Sequence, residues 1–324
     1  MNEIKKEQTT TVKIYREFFA KAEAEVKKQL NDLKLTSYCH NCHKCCKIRY
    51  SEFSPEELKK LGYEEFLKTF LPLGAQDEYS TVDFVTNQYE AYKTDSEYAQ
   101  KVIENNDKDI WFYGCKYFQT GVCKKGKEKP QYCGVYPLTA YTILHDWCGF
   151  EKWQRECLNK LKNEMAKDIL EKINAISEYK NNFSCLCCAT CCKLACSEFS
   201  YEELKEKAKN GDKFATQFTS VFIPYETEEE AYKAYGEYID YLRETLPEGE
   251  KTYFYHCPKN KDNLCSDYEN RPEICREFPT NPLMILPKTC GYSEWREETH
   301  TQTLLLHALV EIVDFYIKKL EKII

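Results

Sequence analysis

The apolar positions of this chain fall into three amphipathic stretches spaced about one repeat apart. In residues 12–35, Val12, Phe19, Ala22, Val26, Leu30 and Leu33 recur at three-, four- and seven-residue steps with charges between them, the period of a helix that buries one stripe. Leu158, Leu161, Met165, Ile169, Ile173 and Ile176 predict a second helix over 158–180. Leu305, Leu309, Ile312, Tyr316, Leu320 and Ile323 predict a third over 304–324. Shorter helices are predicted to start at Ser54-Pro55-Glu56-Glu57-Leu58 and Ser200-Tyr201-Glu202-Glu203-Leu204, where a serine followed three residues on by glutamate makes a capping box. The tyrosine-rich stretches from Glu90 to Tyr98 and from Glu230 to Tyr238 suit helices that cover the neighbouring region. From Cys115 to Cys148 and from Cys257 to Cys290, Gly, Pro, Asn and Asp come at short intervals, which predicts loops with at most short strands. The expected fold class is mainly α with irregular cysteine-rich metal-binding loops.

Each kind of element occurs twice because the sequence repeats itself. The first half carries Cys39-x2-Cys42-x2-Cys45-Cys46, then Cys115-x7-Cys123-x9-Cys133-x14-Cys148; the second carries Cys185-x2-Cys188-x2-Cys191-Cys192, then Cys257-x7-Cys265-x9-Cys275-x14-Cys290. Only the middle spacer differs in length. Ser51 to Lys59 is echoed by Ser197 to Lys205 with a single change, Pro55 against Tyr201. Lys129-Pro130-x2-Cys133-x2-Tyr136-Pro137 answers Arg271-Pro272-x2-Cys275-x2-Phe278-Pro279, and Cys148-Gly149-Phe150-x2-Trp153 answers Cys290-Gly291-Tyr292-x2-Trp295. The chain reads as a tandem duplication of one cysteine-cluster module, with domains at 1–157 and 158–324, each long enough to bury its own core.

Composition narrows the chemistry. With 46 Lys plus Arg against 53 Asp plus Glu the net charge is −7, so no overall field favours nucleic acid or an anionic membrane. No apolar run is long enough to span a bilayer, and the start lacks an export signal; the expected location is cytoplasmic. Nineteen cysteines in a reducing compartment point to metal ligation in preference to disulfides. Recurrence selects the ligands: Cys39, Cys42, Cys45, Cys46, Cys115, Cys123, Cys133 and Cys148 in the first half, and Cys185, Cys188, Cys191, Cys192, Cys257, Cys265, Cys275 and Cys290 in the second. Cys157, Cys187 and Cys196 have no counterpart and are expected to be packing residues. His40 and His43 face Leu186 and Ala189 in the other half and are set aside as ligands.

Clustered thiolates are soft, charged ligands that suit zinc or iron-sulfur centres and do not suit calcium or magnesium. Eight thiols suffice for two closed tetrahedral zinc sites per module, whereas three thiols in one loop with a distant fourth is the pattern of iron-sulfur ligation. Both cofactors stay open. Four thiolates around a dication leave a net dianion, and the recurring cations Lys47 and Lys193, and Lys129 and Arg271, are expected to offset it as hydrogen-bond partners around the metal.

The combination C-x2-C-x2-C-C, C-x7-C and [Arg/Lys]-Pro-x2-Cys-x2-[Phe/Tyr]-Pro resembles the YkgJ family of cysteine-cluster proteins, described as zinc- or iron-chelating domains. Both halves match, over most of the chain. Lys129 stands where the family usually has arginine, and glycines common inside its cluster are absent from His40 to Lys44 and Leu186 to Thr190. The resemblance implies metal binding by the matched cysteines and transfers little further chemistry. The distal half of the motif also resembles that of flagellin lysine N-methylases, which implies an iron-sulfur enzyme using S-adenosylmethionine, in methyl transfer or redox chemistry. A third expectation is a structural zinc adaptor whose tyrosine-rich spacers bind a protein partner. No Gly-rich phosphate loop, G-x-S-x-G elbow or H-E-x-x-H pair occurs, so catalytic and cofactor-binding residues stay unassigned.

Overall fold

In a computed structural model of the chain, which describes residues 2–75, 84–126, 128–245, 251–262 and 264–324, most residues are helical. The strands among them are short, forming two three-stranded and two two-stranded sheets. No helix of the described residues is long and apolar enough to cross a membrane. The chain divides into two compact units. The first is Ala24–Ala166 with Ile312–Ile324; the second is Lys167–Glu311 with the segment up to Glu23.

The three long helices form where the periodicity puts them, with different ends. The leading helix is Asn2–Lys34; Ala22, Val26 and Leu30 are buried as the pattern requires, while Val12 lies outside the described side chains. The helical run before the second cluster starts earlier than expected, as Glu151–Lys160, and continues through a π turn at Leu161–Met165 into Ala166–Tyr179. Leu161, Ile169 and Ile176 are buried there, but Ile173 is exposed. The closing helix is Ser293–Ile323, beginning well before 304 because its polar first turns are anchored by the buried Trp295.

In the first unit, Trp153 is fully buried and its indole N–H donates to the Leu30 carbonyl at 2.6 Å. That bond ties the helix leading into the cysteine cluster to the helix leaving Cys148. In the second unit the indole of Trp295 donates to Ile176 at 3.0 Å. Both capping boxes form: Ser54 and Ser200 accept from the N–H of Glu57 and Glu203, whose carboxylates accept from the serine N–H groups. Each following helix buries one leucine, Leu58 or Leu204.

Around these helices sit small sheets. In the first unit the central strand Trp111–Cys115 pairs antiparallel with Arg49–Ser51 on one side and Phe70–Pro72 on the other, placing Arg49 opposite Tyr113 and Phe70 opposite Cys115. In the second unit Tyr253–His256 pairs with Ala195–Ser197 and Ile223–Pro224, and Ala195 stands opposite Tyr255. The tyrosine-rich spacers are helical: Phe84–Thr94 and Ser96–Glu104 in the first unit, and in the second Glu228–Thr245, kinked at Tyr235. Tyr98 and Tyr238 turn inward, donating to the carbonyls of Ile143 and Ile285 at 3.3 and 2.8 Å.

Of the three unrepeated cysteines, Cys157 packs as expected, fully buried with its thiol 3.6 Å from the Leu30 carbonyl. Cys187 and Cys196 do not; both are exposed, one in the cluster loop and the other in an edge strand. Replacing Trp153 with Phe removes the indole donor and shrinks the ring, leaving the Leu30 carbonyl to the Cys157 thiol. It should cost about 1–3 kcal/mol in a denaturant titration, and an unchanged midpoint would show that the indole bond does not hold these two helices.

Candidate functional site

The proximal cysteines are arranged by a loop with a left-handed residue at every second position before a single helical turn. Asn41 and His43 take positive φ (55° and 60°), as do Cys187 and Ala189 (53° and 58°) in the second unit. This conformation is unfavourable for non-glycine residues, and it curls the loop so that backbone N–H groups face sulfur. Asn41 N–H donates to Cys39 Sγ at 3.3 Å, and Cys187 N–H to Cys185 Sγ at 3.4 Å. The distal cysteines recruit donors two residues on in the same way: Phe150 toward Cys148, Tyr117 toward Cys115, Tyr292 toward Cys290 and Lys259 toward Cys257. Such N–H···S bonds favour the thiolate. Burial opposes them and pushes all four distal thiols up, Cys148 to about 11.

The vicinal cysteines sit on one helical turn, Lys44–Lys47 in the first unit and Thr190–Lys193 in the second. Successive helical residues project roughly 100° apart, so the two thiols open toward different surroundings. Cys45 lines a cavity of about 30 Å³ with Cys39, Cys42, Cys133, Cys148 and His145. Cys46 instead packs with Cys133 against the cluster of Leu58, Leu67, Phe70, Tyr113 and Cys115. In the second unit Cys192 and Cys275 pack against a cluster that includes Tyr255 and Cys257, and the Cys257 N–H donates to the Cys192 carbonyl at 2.8 Å.

Cys148 reaches the proximal loop because Gly149 lets it. A Cβ on Gly149 would overlap the Tyr38 carbonyl and press on the His40 ring; one on Gly291 would overlap the Ser184 carbonyl and press on Leu186. The backbones flanking Cys39 and Cys148 thus touch, as do those flanking Cys185 and Cys290. Lys44 Nζ adds a bond to the Asp146 carbonyl at 3.1 Å. Cys123 and Cys265 lie on two-residue hairpin strands, opposite Phe118 and Asn260, and Cys123 and Cys265 enter the electrostatic surroundings of Cys115 and Cys257.

One arginine faces the thiols of each unit, but from different sequence positions. Arg49 is buried at 5% exposure. Its Nε donates to the Cys45 carbonyl at 3.1 Å, its guanidinium also hydrogen-bonds the Cys45 thiol, and it lies over the rings of Phe70 and Tyr136 at 3.8 and 4.7 Å. Among the described residues no carboxylate pairs with it. In the second unit Ala195 takes this position, and the cation is Arg271, held by the Tyr268 carbonyl at 3.0 Å and lying 3.5 Å from the Tyr268 ring centroid. The nearer thiol of each vicinal pair responds. Cys45 falls to about 6 and Cys192 to about 7, first because the neighbouring thiol donates to each sulfur and then through Arg49 or Arg271. Their neighbours Cys46 and Cys191 are raised, holding the shared proton.

Other expected cations have lesser roles. Lys129 donates to Asn41 Oδ1 at 3.0 Å, bracing the loop at one of its left-handed residues, and Lys47 is exposed. Lys193 is half-buried, and its carbonyl accepts from Tyr225. The periodicity gave no sign of Lys34 and Lys180. Lys34 donates to the carbonyls of Val135 and Pro137 at 2.7 and 2.6 Å and lies over Phe150 and Trp153; Lys180 donates to Glu277 and lies over Tyr292 and Trp295. Each clamps the end of the short helix bearing Cys133 or Cys275. Of the histidines set aside as ligands, His43 Nδ1 is 4.0 Å from Cys46 Sγ, and His40 lines the small cavity.

The second unit is far more open. Its cysteines line a cavity of about 1040 Å³ whose walls include Phe214, Phe218, Val221, Leu242 and Ile285, with Arg271 and Lys213 also contributing. Ala195 lies in this wall where Arg49 fills the first unit. Among the described residues no group of three or more His, Cys, Asp or Glu side chains is, as it stands, gathered tightly enough to hold a metal ion. The donor set nonetheless suits a soft cation: thiols with backbone N–H partners, one arginine beside them, and a first-unit cavity the size of an ion or a single water. Comparison of the chain with family models, with curated proteins and with solved structures finds no match to any of them.

His145, which sequence reasoning missed, is buried beneath this site. It stacks on Tyr98 at 3.6 Å between centroids, its Nε2 is 2.9 Å from the Ile48 carbonyl and its Nδ1 is 3.4 Å from Asp95 Oδ2. Burial lowers its pKa, outweighing Asp95. A lowered folded value means that stability is full above the free-imidazole value of about 6.5 and is lost as pH falls through the folded value. Metal-free protein should therefore lose stability below about pH 6.5, and His145→Gln should flatten that slope. An imidazole titrating above the free value in NMR would overturn the assignment.

Proposed function

We propose that the chain is a tandem pair of cysteine-cluster modules that bind metal, as an iron-sulfur centre or as zinc, through the repeated cysteines. The observation that carries this reading is Arg49. A buried guanidinium with no carboxylate partner is strongly unfavourable unless an anion faces it, and what faces it is thiols. A metal held by four thiolates would supply that negative charge permanently, where metal-free thiols supply it only on ionisation. The bound metal would hold the irregular segments around the cysteines, since structural metal sites contribute folding energy directly. The similarity of the motifs to the YkgJ family points the same way.

A second reading, an iron-sulfur enzyme in the manner of the S-adenosylmethionine-dependent methylases, is favoured by one feature, the large apolar cavity against the thiols of the second unit. It has space for a substrate or an organic cofactor beside a metal, whereas the cavity at the first unit's Cys39, Cys42, Cys45 and Cys148 is about 30 Å³.

Metal and acid-labile sulfide analysis of anaerobically purified protein, with its visible spectrum, tests both readings. Iron with sulfide and a brown colour is expected for an iron-sulfur centre, and zinc without a visible band for a structural site. A spectral change on adding S-adenosylmethionine would favour the enzyme, and protein without bound metal would overturn the proposal. Arg49→Met should weaken metal retention by the first unit about ten- to a hundredfold, the usual effect of removing a partner of the ligands, and leave the second unit unchanged.

A further inference from the structure

Eight thiols can share one polynuclear site or divide into two. We propose that each unit divides them into two separate four-thiolate sites, with the vicinal pair supplying one ligand to each. One site of the first unit is Cys39, Cys42, Cys45 and Cys148, and the other is Cys46, Cys115, Cys123 and Cys133. In the second unit the sites are Cys185, Cys188, Cys191 and Cys290, and Cys192, Cys257, Cys265 and Cys275. The division rests on the metal-binding reading above and assigns the ligands within it.

Two independent observations carry it. The close approach at Gly149 and Gly291 joins Cys148 to the loop of Cys39 and Cys290 to the loop of Cys185; among the described residues no other distal cysteine has a neighbouring glycine whose Cβ would overlap that loop. The hydrophobic clusters collect the complementary set, Cys46 with Cys115 and Cys133, and Cys192 with Cys257 and Cys275, and the Cys257 N–H to Cys192 carbonyl bond fixes the vicinal cysteine to the strand end. Cys133 borders the small cavity as well as its own cluster; its packing with Cys46 and Cys115 and the arrangement of Cys275 assign it to the second group.

Helical geometry explains why a vicinal pair is needed. The two thiols lie side by side but meet different neighbours, Cys45 the small cavity and Cys46 the cluster of Cys115 and Cys133, so each can serve the metal on its own side. Each thiol that binds gives up its proton to solvent, so a filled pair of sites carries eight thiolates, the two sets meeting at one helical turn.

Cobalt(II), whose thiolate complexes absorb in the visible, is the probe. The reduced full-length chain should retain about four cobalt ions after passage over a chelating resin, one per site. Cys42→Ala, Cys148→Ala and Cys123→Ala should each retain about three. Combining Cys42→Ala with Cys148→Ala should again leave three, because both strike one site, while Cys42→Ala with Cys123→Ala should leave two. The division is overturned if the first pair loses two ions or the second only one. If far-UV circular dichroism shows Cys42→Ala to be misfolded, Cys39→Ala replaces it, both residues being exposed. Wild-type protein that takes up no cobalt and carries neither iron nor zinc would instead defeat the metal-binding reading itself.

Discussion

Each unit turns on a vicinal pair of thiols held side by side on one helical turn, with different surroundings on either side of the pair. On one side of the turn lie the left-handed loop and the segment after Cys148, brought together by a glycine with no room for a side chain. On the other lie the end of the central strand, a two-residue hairpin and the short helix bearing Cys133 or Cys275. The long helices serve this core indirectly. Their buried tryptophans and the lysines docked beneath them fix where each cysteine-bearing segment enters and leaves.

Charge is handled differently in the two units. The first buries an arginine among aromatic rings and thiols, where the interior strengthens its field and makes an opposing anion necessary. The second leaves that position to alanine and brings its arginine from the segment before Cys275, half-buried on a tyrosine. In either unit one thiol of the vicinal pair is lowered, first by the hydrogen bond from its neighbour and then by the arginine.

Much of this was legible in the sequence, for identifiable reasons. Periodicity located the three long helices, and the serine and glutamate pairs located both short ones, since these signals act over a few residues. Comparing the halves singled out the cysteines and the glycines after Cys148 and Cys290. What recurrence cannot reveal is what differs between copies. Arg49 aligns with Ala195 and His145 with Pro287, so a search for shared residues passes over both. Lys34 and Lys180 do recur, but within helical stretches where a lysine reads as a solvated charge; only tertiary packing brings them onto carbonyls and rings. The spacing of the cysteines likewise did not say which neighbours each thiol meets, because that depends on a close backbone approach far apart in sequence.

The unequal cavities bear on time as much as on strength. An ion held by thiols leaves fastest when an incoming ligand can attack it before the old bonds break, and that needs room beside the ion. The second unit offers about 1040 Å³ of such room and the first about 30 Å³. If both units hold metal, centres of similar affinity would then differ in residence time, those of the first unit retained while those of the second exchange, and a single chain would combine permanent and transient sites.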